Sequence, residues 1–232
     1  ELNAMNDEML AELDKLLPQV EMDLDVKVVI FRGAGKDFCA GQDLTGVKTY
    51  EVLSEPGEHM TIKKRMEAER RRNRRWEYIF NLAKPTIAQV HGHCLGTGCY
   101  LAMVCDITIA AEDAQFGDPV VRMGAASVEL LLHPWLFGVR RAKEMLFTGD
   151  PIGAQEALAL GAVNRVVPRD RLEEETLALA QRVAKMPPFA VRMTKYSLNR
   201  TMDFMGFRNA LNAHFDVHQV AHATSEIQGL LD

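Results

Sequence analysis

The sequence predicts an α/β fold with largely parallel strands and a helical C-terminal third. Short β-branched runs end on glycine, helical periodicity fills the stretches between them, and no such run follows residue 170. In chain order, Met5, Met9, Leu10, Leu13, Leu16 and Leu17 recur at helical spacing, so a helix opens the chain. Residues 27–32 (KVVIFR) then read as a buried strand closed by Gly33-Ala34-Gly35. Further strands fall at 86–90, after Lys84-Pro85, at 107–110, after a helix over 97–104, and at 163–167. Residues 172–186, 189–199 and 204–228 carry helical periodicity, divided by Pro187-Pro188 and Gly206. Strands that alternate with helices favour crossover units over a sandwich.

Of 232 residues, 47% are hydrophobic and 25% charged, the balance of a soluble domain long enough to bury its core without disulfides or a structural metal. Cys39, Cys94, Cys99 and Cys105 lie in apolar surroundings and read as buried reduced thiols, as expected of a cytoplasmic protein. The net charge of -5 gives no global reason to expect a polyanionic partner. No apolar run reaches 18 residues, and the acidic opening lacks the pattern of a signal peptide.

Two loops combine a strand end, glycines and a helix start: Phe38-Cys39-Ala40-Gly41-Gln42-Asp43-Leu44, and His91-Gly92-His93-Cys94-Leu95-Gly96-Thr97-Gly98-Cys99-Tyr100. Glycines admit close approach of a ligand, and N–H groups at a helix start point outward with the positive end of the dipole behind them. Two such donors converging would hold a developing oxyanion. Either loop alone reads equally as a tight turn.

Together, in this order, they resemble the crotonase (enoyl-CoA hydratase/isomerase) superfamily. The matching text also includes Leu2-Asn3-Ala4, KPTIAQVHGHCLGTGC followed by AMVCDI, Ala114-Gln115-Phe116-Gly117-Asp118-Pro119, FTGDPIGAQEALALGAVNRVV from Phe147, and PPFAVRMTK from Pro187. The resemblance implies a spiral (ββα) core over residues 1–168 and a helical trimerisation region over 169–232, with an opening strand absent before Asn3. It also implies an acyl-CoA substrate, no separate cofactor, no membrane, and a homotrimer or dimer of trimers. Carried over by position, the oxyanion donors are the N–H groups of Ala40 and Thr97, where family members usually have glycine at the second position. Cys39, Gly41, Asp43, Gly96, Tyr100, Asp118 and Val120 then fall around the substrate.

An enolate-stabilising hole leaves the reaction type to the acid or base beside the α and β carbons. Hydratases of the resembled family place glutamates where this chain has Tyr100 and Val120, so two-glutamate hydration is disfavoured; enoyl-CoA isomerisation fits one acid better, and a looser hydratase-like activity stays open. Glu129, in an apolar stretch near the position of the single acid in isomerase and dehalogenase branches, is the candidate proton carrier; a first-turn residue of a helix beginning near Ser127 is the plainer reading. His133, before Pro134, ranks below it as a structural residue at a helix end, but would matter for hydrolytic C–C cleavage of a β-diketone. Asp118 could orient the site, Asp43 reads as a turn residue, and Tyr100 reads as a pocket wall able to donate a phenolic proton.

Two patterns pull elsewhere. Residues 63–75 carry eight basic side chains, a pattern that suits an RNA-binding, non-catalytic homologue. The acidic chain and the family position over the CoA entrance favour contacts to CoA phosphates instead. His214, His218 and His222 at i, i+4 and i+8 could hold zinc, yet no glutamate follows the first histidine and no cysteine is near, so a polar interface face is preferred and no metal is expected.

Overall fold

The computed structural model describes residues 2–43, 62–126, 128–214, 217–218 and 221. Four parallel strands, β1 (Val29–Arg32), β2 (Thr86–Val90), β4 (Ile107–Ala111) and β7 (Arg165–Val167), form one sheet in the order β1-β2-β4-β7. Every residue of β2 is buried, as expected of a central parallel strand covered on both faces. On one face Ile87, Ile109 and Ala111 pack with Leu172 and Ala180 of α7 (Leu172–Ala184). Ala88, Val90 and Ala110 join the larger core on the other face, with α2 (Ile62–Asn81) and α3 (Thr97–Val104).

A second, small sheet was not expected. Strand β3 (His93–Leu95) pairs parallel with β5 (Gln115–Gly117), which pairs antiparallel with β6 (Ile152–Gly153). These strands hold three residues or fewer, too few for a period of two to show in the sequence. They nevertheless fix the glycine-rich loop, since β3 leads directly into α3.

Helix α1 (Asp7–Met22) is capped by Asn6, whose side chain accepts the Met9 N–H at 2.8 Å. Its inward stripe is narrower than the periodicity suggests: Leu10 and Leu17 are buried, while Met9 and Leu16 face solvent. The 3₁₀ turn at Pro119–Met123 precedes α4 (His133–Phe137) and α5 (Val139–Thr148), and α6 (Ala154–Ala159) precedes β7.

The helices after β7 break at Pro187 and Gly206, as the periodicity predicts. Helix α8 (Pro188–Phe204) buries Lys195 and Asn199 and exposes Phe189, Tyr196, Leu198 and Phe204. Lys195 Nζ reaches the Asp106 carboxylate at 2.8 Å and the Lys84 carbonyl at 3.0 Å. The same carboxylate oxygen accepts the Thr86 N–H at 2.7 Å and the Thr86 hydroxyl at 3.0 Å. This polar latch joins α8 to the starts of β2 and β4. A break at Gly206, whose φ is +94°, leads into α9 (Phe207–Ala213).

Candidate active site

The two glycine loops meet. Cys39 N–H donates to the His93 carbonyl and Leu95 N–H donates to the Cys39 carbonyl, both at 2.9 Å. A side chain on Gly98 would collide with Cys39, 2.6 Å from its Cβ, so that position admits glycine alone. Gly41 (φ +110°) and Gly96 (φ +49°) face each other closely enough that a Cβ on Gly96 would lie 3.8 Å from the Gly41 Cα. Thr97 is the first residue of α3, so its N–H has no acceptor within the helix. The second donor differs from the expectation of two open groups, because Ala40 N–H donates to the Leu2 carbonyl at 3.1 Å. Leu2 and Asn3 have positive φ, 54° and 55°, and the Asn3 amide anchors that turn on the Ala34 and Asp37 carbonyls at 2.7 Å each.

One turn beyond Thr97 on the same face, Tyr100 donates its hydroxyl to Asp118 at 2.7 Å. Both side chains are buried. Burial, with the negative charges of Asp118 and Glu129, pushes the Tyr100 phenol well above its ordinary range. The phenol is thus held neutral, with its proton committed to Asp118. Glu129 is half-buried and close enough for its charge to be felt at Tyr100. Among the described residues no helix covers 128–132: Glu129 and Leu130 form a turn and α4 starts at His133, so Glu129 is not a first-turn residue, while Ser127 lies outside the described residues. His133 likewise stands at a helix start rather than an end, fully buried, with its ring 6.3 Å from the Tyr100 ring and 6.2 Å from that of Phe137.

Cys39, Cys94 and Cys99 are buried and Cys105 is half-buried, all as free thiols. Burial raises the Cys39 and Cys94 thiols, whereas hydrogen bonding from Cys94, aided by His133, lowers Cys99. Asp43 N–H donates to the Met5 carbonyl at 3.0 Å, part of a parallel bridge between Met5 and Gln42, and the Val120 carbonyl accepts Ala125 N–H at 3.2 Å.

The sequence family described as enoyl-CoA hydratase/isomerase matches residues 1–231. A Mycobacterium tuberculosis protein named "Putative enoyl-CoA hydratase EchA13" is 43% identical over 95% of this chain and 74% of its own length. A crystal structure titled as a probable enoyl-CoA hydratase from Mycobacterium thermoresistibile superposes with TM-score 0.87 at 43% identity, covering 97% of this chain and 90% of that one. An enoyl-CoA hydratase/isomerase structure from Xanthobacter autotrophicus Py2 superposes at 0.90 with 33% identity, covering 98% and 83%. The chain belongs to the crotonase family. Its α/β crotonase fold with C-terminal helices matches the solved enoyl-CoA hydratase structures.

Within this crotonase the fold gathers Tyr100, Asp118, Glu129 and His133. The Tyr100–Asp118 pairing was missed because it joins residues 18 apart through a sheet too short to read from sequence. On the basic helix, Arg75 forms a bidentate pair with Asp14, both bonds 2.6 Å, and Arg70, Arg71 and Arg74 are exposed. The side chains of Lys63, Lys64, Arg65 and Arg72, and all of His222, lie outside the described residues. His218 is buried, and among the described residues no group of three or more His, Cys, Asp or Glu could hold a metal. Among the same residues, no helix is long and apolar enough to cross a membrane.

Proposed function

We propose that this crotonase converts acyl-CoA thioesters through an enolate, and that double-bond isomerisation is its reaction. The observation that carries the reading is that Thr97 opens α3, so its N–H has no acceptor within the helix, and that Tyr100, one turn on, feels the charge of the half-buried Glu129. Thr97 N–H, joined by Ala40 N–H once the Leu2 carbonyl yields, holds the thioester oxygen. Glu129 takes the α proton of a 3-enoyl-CoA as the electron pair moves onto that oxygen. The same carboxyl group returns the proton to the γ carbon, so the double bond shifts and the composition is unchanged. Hydration needs a second group to activate water. Val120 carries no carboxylate, and burial together with the charge of Asp118 holds Tyr100 neutral.

The exposed Phe189, Tyr196, Leu198 and Phe204 support assembly through the C-terminal helices into a homotrimer or a dimer of trimers. A panel of 2-enoyl-CoA, 3-enoyl-CoA and β-diketone substrates followed by mass tests the reaction. A 3-enoyl-CoA consumed without mass change supports isomerisation, whereas gain of water or chain cleavage overturns it. In Glu129→Gln, which keeps shape and hydrogen bonding but cannot exchange a proton, kcat should fall at least 100-fold while acyl-CoA affinity holds.

A further inference from the structure

His133 is the buried polar group that the isomerisation leaves unused. Its imidazole is fully buried, and among the described residues neither ring nitrogen has an oxygen or nitrogen hydrogen-bond partner. The polar group beside it is the Cys99 thiol, a weak partner that satisfies one nitrogen at most. Phe137 stacks on one side of the ring, and Tyr100 meets it edge-on at 6.3 Å. A neutral imidazole brings one donor and one acceptor, and a buried site that leaves them unused calls for an explanation. A purely structural residue in this apolar wall could have been phenylalanine or leucine at no such cost.

We infer that His133 is a specificity-determining residue, placed to hydrogen-bond an oxygen function carried by the acyl chain beyond its reacting carbons. The inference rests on the acyl-CoA reading above. Tyr100 shares the α3 face with Thr97, and the His133 ring meets Tyr100 edge-on at 6.3 Å. An acyl chain anchored by its thioester at Thr97 and running along Tyr100 would meet the imidazole next. Tyr100 has committed its proton to Asp118, so His133 supplies the donor at that depth. A carbonyl or hydroxyl there would satisfy it, and a plain hydrocarbon would leave it bare. The substrate class is therefore an oxygenated acyl-CoA. Cys99 is no rival as an acyl carrier, because positions two apart on a helix point to different faces, so the thiol does not share the face of Thr97.

Titration calorimetry with hexanoyl-CoA and 5-oxohexanoyl-CoA, on the wild type and on His133→Phe, tests this. The wild type should prefer the oxo ligand roughly three- to tenfold, the range expected of one buried hydrogen bond, and the variant should lose that preference while keeping its affinity for hexanoyl-CoA. His133→Phe should also melt no lower than the wild type, because two poorly partnered nitrogens leave the core. Equal affinities in the wild type overturn the inference whether or not the variant folds, as does a preference that survives in the variant. Failure of both ligands to bind overturns the acyl-CoA reading itself and takes this subsite with it.

Discussion

Replacing Tyr100 by phenylalanine removes one oxygen from a buried site and preserves the ring that packs on Trp76 and His133. The lost bond is 2.7 Å long and ends on a carboxylate with no solvent exposure. Hydrogen bonds to charged groups contribute about 1.5–3 kcal/mol, and a buried carboxylate deprived of a donor sits at the upper end of that range. At about 2–4 °C per kcal/mol for a chain of this size, Tyr100→Phe should lower Tm by roughly 5–10 °C. Asp118→Asn keeps an acceptor and the shape, exchanging a charge-assisted bond for a neutral one, and should cost about 1 kcal/mol. In the double variant the asparagine no longer loses that bond, so the losses should fall short of additive by about 1–2 kcal/mol. The assay is thermal unfolding of the four proteins at one pH and concentration. Additive losses within about 0.5 kcal/mol would refute the claim that this pair locks the phenol.

Three further outcomes follow from other parts of the fold. Thr97→Gly should keep activity, whereas Thr97→Pro, at a first-turn position where proline fits, should stay folded and lose on the order of 100-fold in kcat; an active proline variant rules the N–H out as a donor. Lys195→Met, which breaks the ion pair to Asp106, should cost about 2–3 kcal/mol, and Asp106→Asn in that background should cost little more; a Tm unchanged in calorimetry would show the latch to be dispensable. Burial and the 2.5 Å bond to Glu21 push the Tyr78 phenol up to about 12 from an ordinary 10.0. The native state holds that proton more tightly than the unfolded chain, so its stabilisation is complete below pH 10 and lost as pH rises towards 12. Tm curves of the wild type and Tyr78→Phe should converge across that window, and parallel curves would contradict the assignment.

Much of the site was legible because the features that build it are local. Gly96, Thr97 and the apolar run to Val104 mark a helix start whose bounds the structure reproduces, and the buried 86–90 strand follows from its β-branched run between Pro85 and Gly92. What the sequence hid is non-local. The short strands β3, β5 and β6 have no readable period, and the Tyr100–Asp118 bond depends on them. Glu129 looked like a helix-start residue because an apolar run follows it, yet Glu129 and Leu130 form a turn before α4. On α8, periodicity identified the helix but not its orientation, since Lys195 and Asn199 face the core through hydrogen bonds while the aromatic residues face outward. Engagement of Ala40 by Leu2 rests on two left-handed residues, neither of them glycine, which no turn signal announces.

In the proposed mechanism the site forms an enolate and Glu129 moves the proton. Incubating the protein with butanoyl-CoA in deuterium oxide tests it without any assumption about the natural acyl group. Mass spectrometry should show deuterium entering at the α carbon, at a rate cut at least 100-fold in Glu129→Gln while butanoyl-CoA still binds. Bound butanoyl-CoA that acquires no deuterium, or exchange that persists at the wild-type rate in Glu129→Gln, would contradict the account.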